Sequence, residues 1–336
     1  MENIKRGGLK SRILARLQVT SGVFIATILA LIFFSIANPH FFTWINILGI
    51  LRAMSALAIM ALGELLVIVV GEIDLSVGAV YGFTAMLLGI LWSNEISIFL
   101  SFPLALFSSI VIGVIISLLV IFVKIPSFVV TLGMMSLMQG VTMLICDCRS
   151  ISPAYLLPQG FEHEVAFFNS MAHLALPFNI PAQVVWMIII AIIISILYYK
   201  FIFGFRLRAI GGNLGASRLL KLPVVKYKII VFAISGLLSG LAGILDFAFI
   251  GTTNPTSGST LTFPVFAAVI IGGASLSGGK GNVLGTLVAA ALLAVLSNGL
   301  SLLNVGAFGQ LIFTGVVTIG AVALDTMNIG KKIQKS

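Results

Sequence analysis

The chain has 336 residues, 60% of them hydrophobic and only 9% charged, with a mean hydropathy of +1.20. Water-soluble domains carry roughly a quarter charged residues, so a soluble α/β enzyme is excluded and the solvent for most of this surface is lipid. The net charge of +9 is then a question of which side of a membrane the basic residues occupy, and no nucleic-acid partner is needed to explain it.

Apolar runs predict an all-α polytopic membrane protein of about ten transmembrane helices, near 20–37, 45–70, 75–92, 97–123, 126–146, 182–203, 227–250, 261–276, 283–304 and 307–324. A basic segment over 1–19 precedes them and a tail over 325–336 follows. The first run, with its basic start and Ser35-Ile36-Ala37, mimics a secretory signal. It is longer than a typical signal core, and its removal would leave the next helix without a cytoplasmic start, so it is read as an uncleaved helix. With the N-terminus inside, 17 of the 19 basic residues fall on the cytoplasmic side, and only Arg52 and Arg149 do not. Both termini are therefore expected to be cytoplasmic.

The second and third runs are separated only by Gly71-Glu72-Ile73-Asp74. Asp74 could cap the third helix, accepting from N–H groups of its first turn, or reach with Ser76 and Gly78 into a substrate path. The two roles are compatible if a re-entrant break forms there. Cys146 and Cys148 flank Asp147 in a C-x-C spacing that fits neither a zinc knuckle nor a redox pair, and they read as two ordinary thiols. The largest external segment, 147–181, holds Glu162, His163, Glu164 and His173. It reads as a wet periplasmic loop, with no metal site and no cofactor expected.

The largest cytoplasmic loop, 204–226, contains Gly211-Gly212-Asn213 and then Leu214 to Pro223. Asn213 is a natural N-cap, and Pro223 disfavours helix at Leu222. Between them is room for a short amphipathic helix bearing Arg218 and Lys221. A helix this short is unstable alone, so it needs a surface, either the membrane or a docking partner. Further on, Ser235-Gly236-Leu237-Leu238-Ser239-Gly240 is a small-residue run suited to a narrow wall, with Ser235 and Ser239 as candidate path residues.

Gly272-Gly273-Ala274-Ser275-Leu276-Ser277-Gly278-Gly279-Lys280-Gly281 looks almost like a nucleotide-binding loop. Ala274 stands where its first glycine belongs, and Gly281 stands where a hydroxyl residue should hold Mg²⁺. Gly272, Gly273, Gly278 and Gly279 are instead expected to form a helix-packing turn. At an offset of 201 residues, Gly71, Leu75, Ser76 and Gly78 match Gly272, Leu276, Ser277 and Gly279, a faint internal repeat.

The Gly71–Gly78 stretch, Ile125–Gly133, Ile210–Asn213 and Ile271–Gly281, in this order, resemble permease subunits of ribose-type monosaccharide ABC importers. The resemblance runs from about Phe41 to Leu324. It implies a type II importer permease over 20–324, paired with a second permease subunit as a homodimer or heterodimer in the bacterial inner membrane. It also implies a cytoplasmic ATP-binding subunit and a periplasmic sugar-binding protein. In that family Gly211, Gly212, Asn213, Arg218 and Lys221 would lie in the coupling loop that rests on the ATPase. The sequence departs from the family where Leu214 and Gly215 replace Pro and Glu, where Thr262-Phe263-Pro264 lacks an acidic residue, and at Glu72, where Gly is commoner.

The function so implied is import of a monosaccharide or small polyol, with ATP hydrolysis in the separate subunit, so the chain itself is not an enzyme. The alternatives are a nucleoside permease of the same superfamily and an ion-coupled secondary transporter. The latter would rely on Glu64 and Asp246, with Arg52 near a helix end.

Overall fold

The computed structural model describes residues 22–152, 160–172 and 177–333. The predicted basic segment 1–19, His173 and the last three residues lie outside the described residues. All ten predicted runs are helical. They are α1 (Gly22–Ala37), α2 (Trp44–Val69), α3 (Val77–Ser93), α4 (Ile98–Leu118), α5 (Ser127–Ile145), α7 (Ala182–Tyr199), α10 (Val224–Ile250), α11 (Thr262–Ile271), α12 (Val283–Leu302) and α13 (Ala307–Ile333). Among the described residues three further α-helices follow between or after the runs: α6 (Glu162–Ser170), α8 (Ile202–Gly212) and α9 (Leu214–Leu219). Six helices among the described residues are long and apolar enough to cross a bilayer, namely α2, α4 with the π-helical turn Leu119–Val123 that extends it, α5, α7, α10 and α12. The apolar parts of α1, α3, α11 and α13 are shorter.

The 204–226 stretch is mostly helix. Lys200 ends α7, and α8 and α9 follow almost without a break. The C-terminal end also differs from the expected tail, because α13 continues to Ile333.

The centre of the bundle is the second half of α2. From Leu57 to Val70 every residue is buried, which is why this run is apolar all round instead of amphipathic. Against it lies α10, whose Ser235 and Leu238 meet Gly63. The opposite side of α10 packs on α4 at backbone distance. A side chain on Gly113 would overlap the Phe232 carbonyl, and one on Gly236 would overlap the Ser109 carbonyl. Small residues at such crossings are what let helices gain dispersion contacts where lipid supplies no hydrophobic drive. The periphery is the reverse. Phe107, Phe122, Ile188, Ile192 and Phe205 stand exposed, as residues facing acyl chains should.

The described part of segment 147–181 is tied down by specific contacts. The Glu164 carboxylate accepts from Trp92 Nε1, Ser97 Oγ and Ile98 N at 3.0, 2.8 and 2.7 Å. It thereby caps α4 from another part of the chain and seats Phe168 between Trp92 and Phe247. Ile151 and Thr253 exchange two backbone bonds of 2.9 Å, tying the ends of α5 and α10 together.

The α4–α10 crossing yields a stability prediction. Gly113→Leu should destabilise the purified protein by about 1–3 kcal/mol, read as a lower midpoint in detergent thermal unfolding. Gly133→Leu, at a position with open space around it, should leave the midpoint unchanged.

Candidate functional site: two broken helices and the glycine junction

The helices α2 and α11 end in the same way. Gly71 N–H bonds to Ile68 O and Glu72 N–H to Val67 O, and Gly273 N–H bonds to Ile270 O and Ala274 N–H to Val269 O. Each is a Schellman cap with a left-handed glycine, Gly71 at φ 92° and Gly273 at φ 97°. The same cap also ends α3, α5, α9 and α12, at Glu95, Asp147, Lys221 and Asn304, so the shared geometry is no sign of an internal repeat, and Gly272, the sequence match of Gly71, is not the left-handed residue. Gly272 is packed instead against the start of α12, 2.5 Å from its Cβ position to Thr286 N.

After the first cap the chain turns back alongside α2 and stays non-helical until α3 begins at Val77. Its backbone groups cannot be left to lipid, and side chains from two helices and from the segment itself serve them. Ile73 N–H bonds to Ser127 Oγ of α5 (3.1 Å) and Asp74 N–H to Glu64 Oε1 of α2 (3.2 Å). The Asp74 carboxylate accepts from Ser76 N (2.9 Å), Ser76 Oγ (2.6 Å) and, from α10, Ser235 Oγ (3.2 Å). Asp74 thus acts one step before the expected cap. The N-cap position belongs to Ser76, and Asp74 holds that residue's own N–H rather than those of the first helical turn.

Of the candidate path residues, Asp74, Ser76, Gly78, Ser235 and Ser239 are all buried. Gly78 is pressed between segments, because a Cβ there would stand 2.6 Å from Thr262 Oγ1. Ser239 Oγ and Glu64 Oε2 have no hydrogen-bond partner among the described residues. These residues form an internal polar knot that fixes where α3 starts.

The two breaks meet a third glycine stretch. Gly279 N–H bonds to the otherwise free carbonyl of Val69 at the end of α2 (2.8 Å). Gly211, at the end of α8, packs so closely that a Cβ would overlap the Val69 carbonyl and stand 2.6 Å from Gly279 N. A Cβ on Gly278 would be 2.7 Å from Gly211 O and 3.0 Å from Gly71 Cα, and Gly212 lies against Gly279. The three glycine-marked motifs of the sequence are one junction of bare backbone.

From this junction α9 projects. Asn213 caps it, its Oδ1 accepting from Ala216 N (2.9 Å), and Ser217 Oγ bonds back to Ala209 O (3.0 Å). Arg218 and Lys221 are exposed. Leu219 and Leu220 are 85% and 75% exposed. The element ends at Leu219 in a cap with Lys221 left-handed (φ 54°), and Pro223 stands instead at the N-cap of α10, which begins at Val224. The base of α10 is tied to the first break by a Lys228–Glu72 ion pair.

Two further features escaped the sequence. Arg52 and Asp246, distant in sequence and considered there as separate charges, form an ion pair at 2.6 Å. Tyr81 OH donates to the other carboxylate oxygen, and the Arg52 guanidinium lies 4.8 Å from the Phe249 ring centre. Among the described residues, no group of three or more His, Cys, Asp or Glu side chains gathers as a metal site.

The Asp74 geometry gives a prediction. Asp74→Ala strands Ser76 N–H, Ser76 OH and Ser235 OH at about 1–3 kcal/mol for each unmet group. Asp74→Asn keeps an acceptor for Ser76 and can donate to Ser235. Membrane-inserted Asp74→Ala should show a markedly lower melting midpoint and little transport. Asp74→Asn should lie between it and the parent. Equal damage from both, at equal protein level, would mean the negative charge itself is required.

Residues 46–322 match the family described as branched-chain amino acid transport system / permease component. The ribose import permease protein RbsC of Haemophilus influenzae is 36% identical over 95% of this chain and 97% of its own length. RbsC of Escherichia coli K12 is 35% identical over 90% of this chain and 92% of its own length. The D-allose transport system permease protein AlsC of the same strain is 32% identical, covering 90% of each chain. On a match that spans both helix breaks, the glycine junction and α9, the chain belongs to the branched-chain amino acid transport system / permease component family.

Proposed function

We propose that this chain is the membrane-spanning permease subunit of an ATP-driven importer for a monosaccharide or related small polyol. In this reading it crosses the bacterial inner membrane ten times with both termini in the cytoplasm. It pairs with a second permease subunit, receives its solute from a periplasmic binding protein, and leaves ATP hydrolysis to a cytoplasmic subunit. The family description names branched-chain amino acids, but the similar full-length relatives carry the names of ribose and allose permeases, which favours a sugar.

The observation that carries the reading is the attachment of α9. A six-residue helix with two leucines in water is not stable alone, and its root is the junction that holds both helix breaks. That is the arrangement a docking element needs if a partner's movement is to reach the path. Asp74, Ser76, Gly78, Ser235 and Ser239 then belong to a gate, since they set the position of α3 without facing open solvent. The ion-coupled alternative would rest on Glu64, Asp74 and the Arg52–Asp246 pair, and transport by the chain alone, driven by a proton gradient, would establish it in place of ATP-driven import.

Two measurements follow. Full burial of a leucine is worth about 1.5–3 kcal/mol, so replacing both Leu219 and Leu220 by Asp should weaken ATPase docking on the order of a hundredfold. Stimulated ATP hydrolysis should be lost from an inserted, folded permease, and unchanged stimulation would place the docking surface elsewhere. For orientation, the exposed thiol of Cys148 should react with a membrane-impermeant reagent added outside. Leu219→Cys in a chain lacking the native thiols should react only from the cytoplasmic side. The opposite pattern would reverse the topology.

A further inference from the structure

The segment joining α10 to α11 reads Gly-Thr-Thr-Asn-Pro-Thr-Ser-Gly-Ser-Thr-Leu over 251–261. It leaves α10 at Gly251 (φ 74°), forms the bridge to Ile151, and then runs inward along α3. The Ser257 carbonyl occupies the space beside Gly82, and Gly258 lies against Gly78 and the Tyr81 ring. At 1.5 Å per residue, Gly82 and Gly78 lie about 16 and 22 Å below the Ser93 end of α3. The polar segment thus reaches roughly the middle of the bilayer.

Non-helical backbone at that depth is tolerated only inside protein or against water. Part of this segment is not inside the protein, since Asn254, Thr256, Ser259 and Thr260 are exposed. Directly beside it, Tyr81 holds Asp246, and Asp246 holds Arg52. The Asp246 and Arg52 side chains keep 18% and 27% of their surface open. An open ion pair on a transmembrane helix is costly toward acyl chains. The shared face of α2, α10 and the 251–261 segment therefore does not face acyl chains.

We propose that this face is the wall of a water-filled outer vestibule, in which Arg52, Asp246 and the 251–261 hydroxyls bind a neutral polyhydroxylated solute in transit. The inference rests on the sugar-import reading. The pair carries no net charge, so it has no hold on an anion or a cation. A sugar hydroxyl both donates and accepts, and can use the free guanidinium donors and the remaining carboxylate lone pairs without separating them. A zwitterionic amino acid would have to pull the pair apart to use either charge. The Phe249 ring under Arg52 adds an apolar surface for the C–H face of a sugar ring.

The test uses the complete importer in oriented vesicles. In a Cys146→Ser, Cys148→Ser chain, Thr260→Cys should react with a hydrophilic thiosulfonate added outside at least about tenfold faster than Phe107→Cys. Phe107 is exposed on α4, about 14 Å below its Ile98 end, and faces lipid. Equal, slow labelling of the two would overturn the vestibule. Arg52→Gln with Asp246→Asn removes both charges without stranding one. Ribose uptake should fall about tenfold, while ATP hydrolysis stimulated by the ribose-loaded binding protein is retained. Unchanged ribose uptake would overturn the contact. If the unaltered complex moved leucine and no ribose while Thr260→Cys still reacted, the sugar reading and the proposed solute class would both fall, and the wet wall would stand.

Discussion

A helix that breaks inside an apolar bundle exposes N–H and C=O groups that lipid cannot satisfy, and the organisation of this protein follows from how those groups are met. Schellman caps at Gly71 and Gly273 close the ends of α2 and α11 with the chain's own carbonyls. What remains is shared between the breaks. Val69 O takes the Gly279 N–H, and Ile73 and Asp74 take oxygens from Ser127 and Glu64. Neither break is complete without neighbours distant in sequence, so neither can move as an independent loop.

Charge is distributed under the same constraint. Glu72 of the first break is balanced by Lys228, and Asp246 by Arg52. Each pair joins α10 to α2 or to the break that follows it. Asp74 is different, being served by hydroxyls and one backbone N–H. Such a carboxylate fixes direction better than a salt bridge would, because three donors at set angles leave it one orientation. Charge near α10 thus sits at its two ends, with a hydroxyl-rich knot between them.

Much of this was legible in the sequence, and the reason is the solvent. A bilayer demands long apolar runs, so all ten runs could be read as helices, although α11 stops at Ile271 and α13 continues to Ile333, well away from the ends read at 276 and 324. Asn213 starts α9 as its chemistry requires. The exceptions are physical. The α7 run was extended past Tyr199 because Phe201 and Ile202 are apolar, although the chain turns there and begins α8. The sequence match set Gly71 beside Gly272, but the left-handed glycine after α11 is Gly273, and φ is not written in a glycine-rich string. Asp74 was read as a cap on first-turn N–H groups, whereas helix start depends on what Ser76 packs against. The Arg52–Asp246 pair and the Glu164 clamp join residues far apart in the chain, and no local pattern announces a long-range partner. The burial of Ser235 and Ser239 was likewise hidden, since a small-residue run looks the same facing a pore or facing a helix.

The junction also explains why glycine, and not merely a small residue, gathers at three separate places. Gly211 touches both Val69 and Gly279 through backbone, and Gly278 touches Gly71 in the same way. Side chains between moving parts can change rotamer and absorb a displacement, but backbone packed on backbone has no such slack. If α9 docks on a partner as proposed, a shift at its root would be passed on undamped. It would reach the C-terminus of α2 and the turn before α12 together, because Val69 and Gly279 are hydrogen-bonded to each other. The same contact that satisfies an orphan carbonyl makes the two breaks one mechanical unit, and a side chain at Gly211 would cost both.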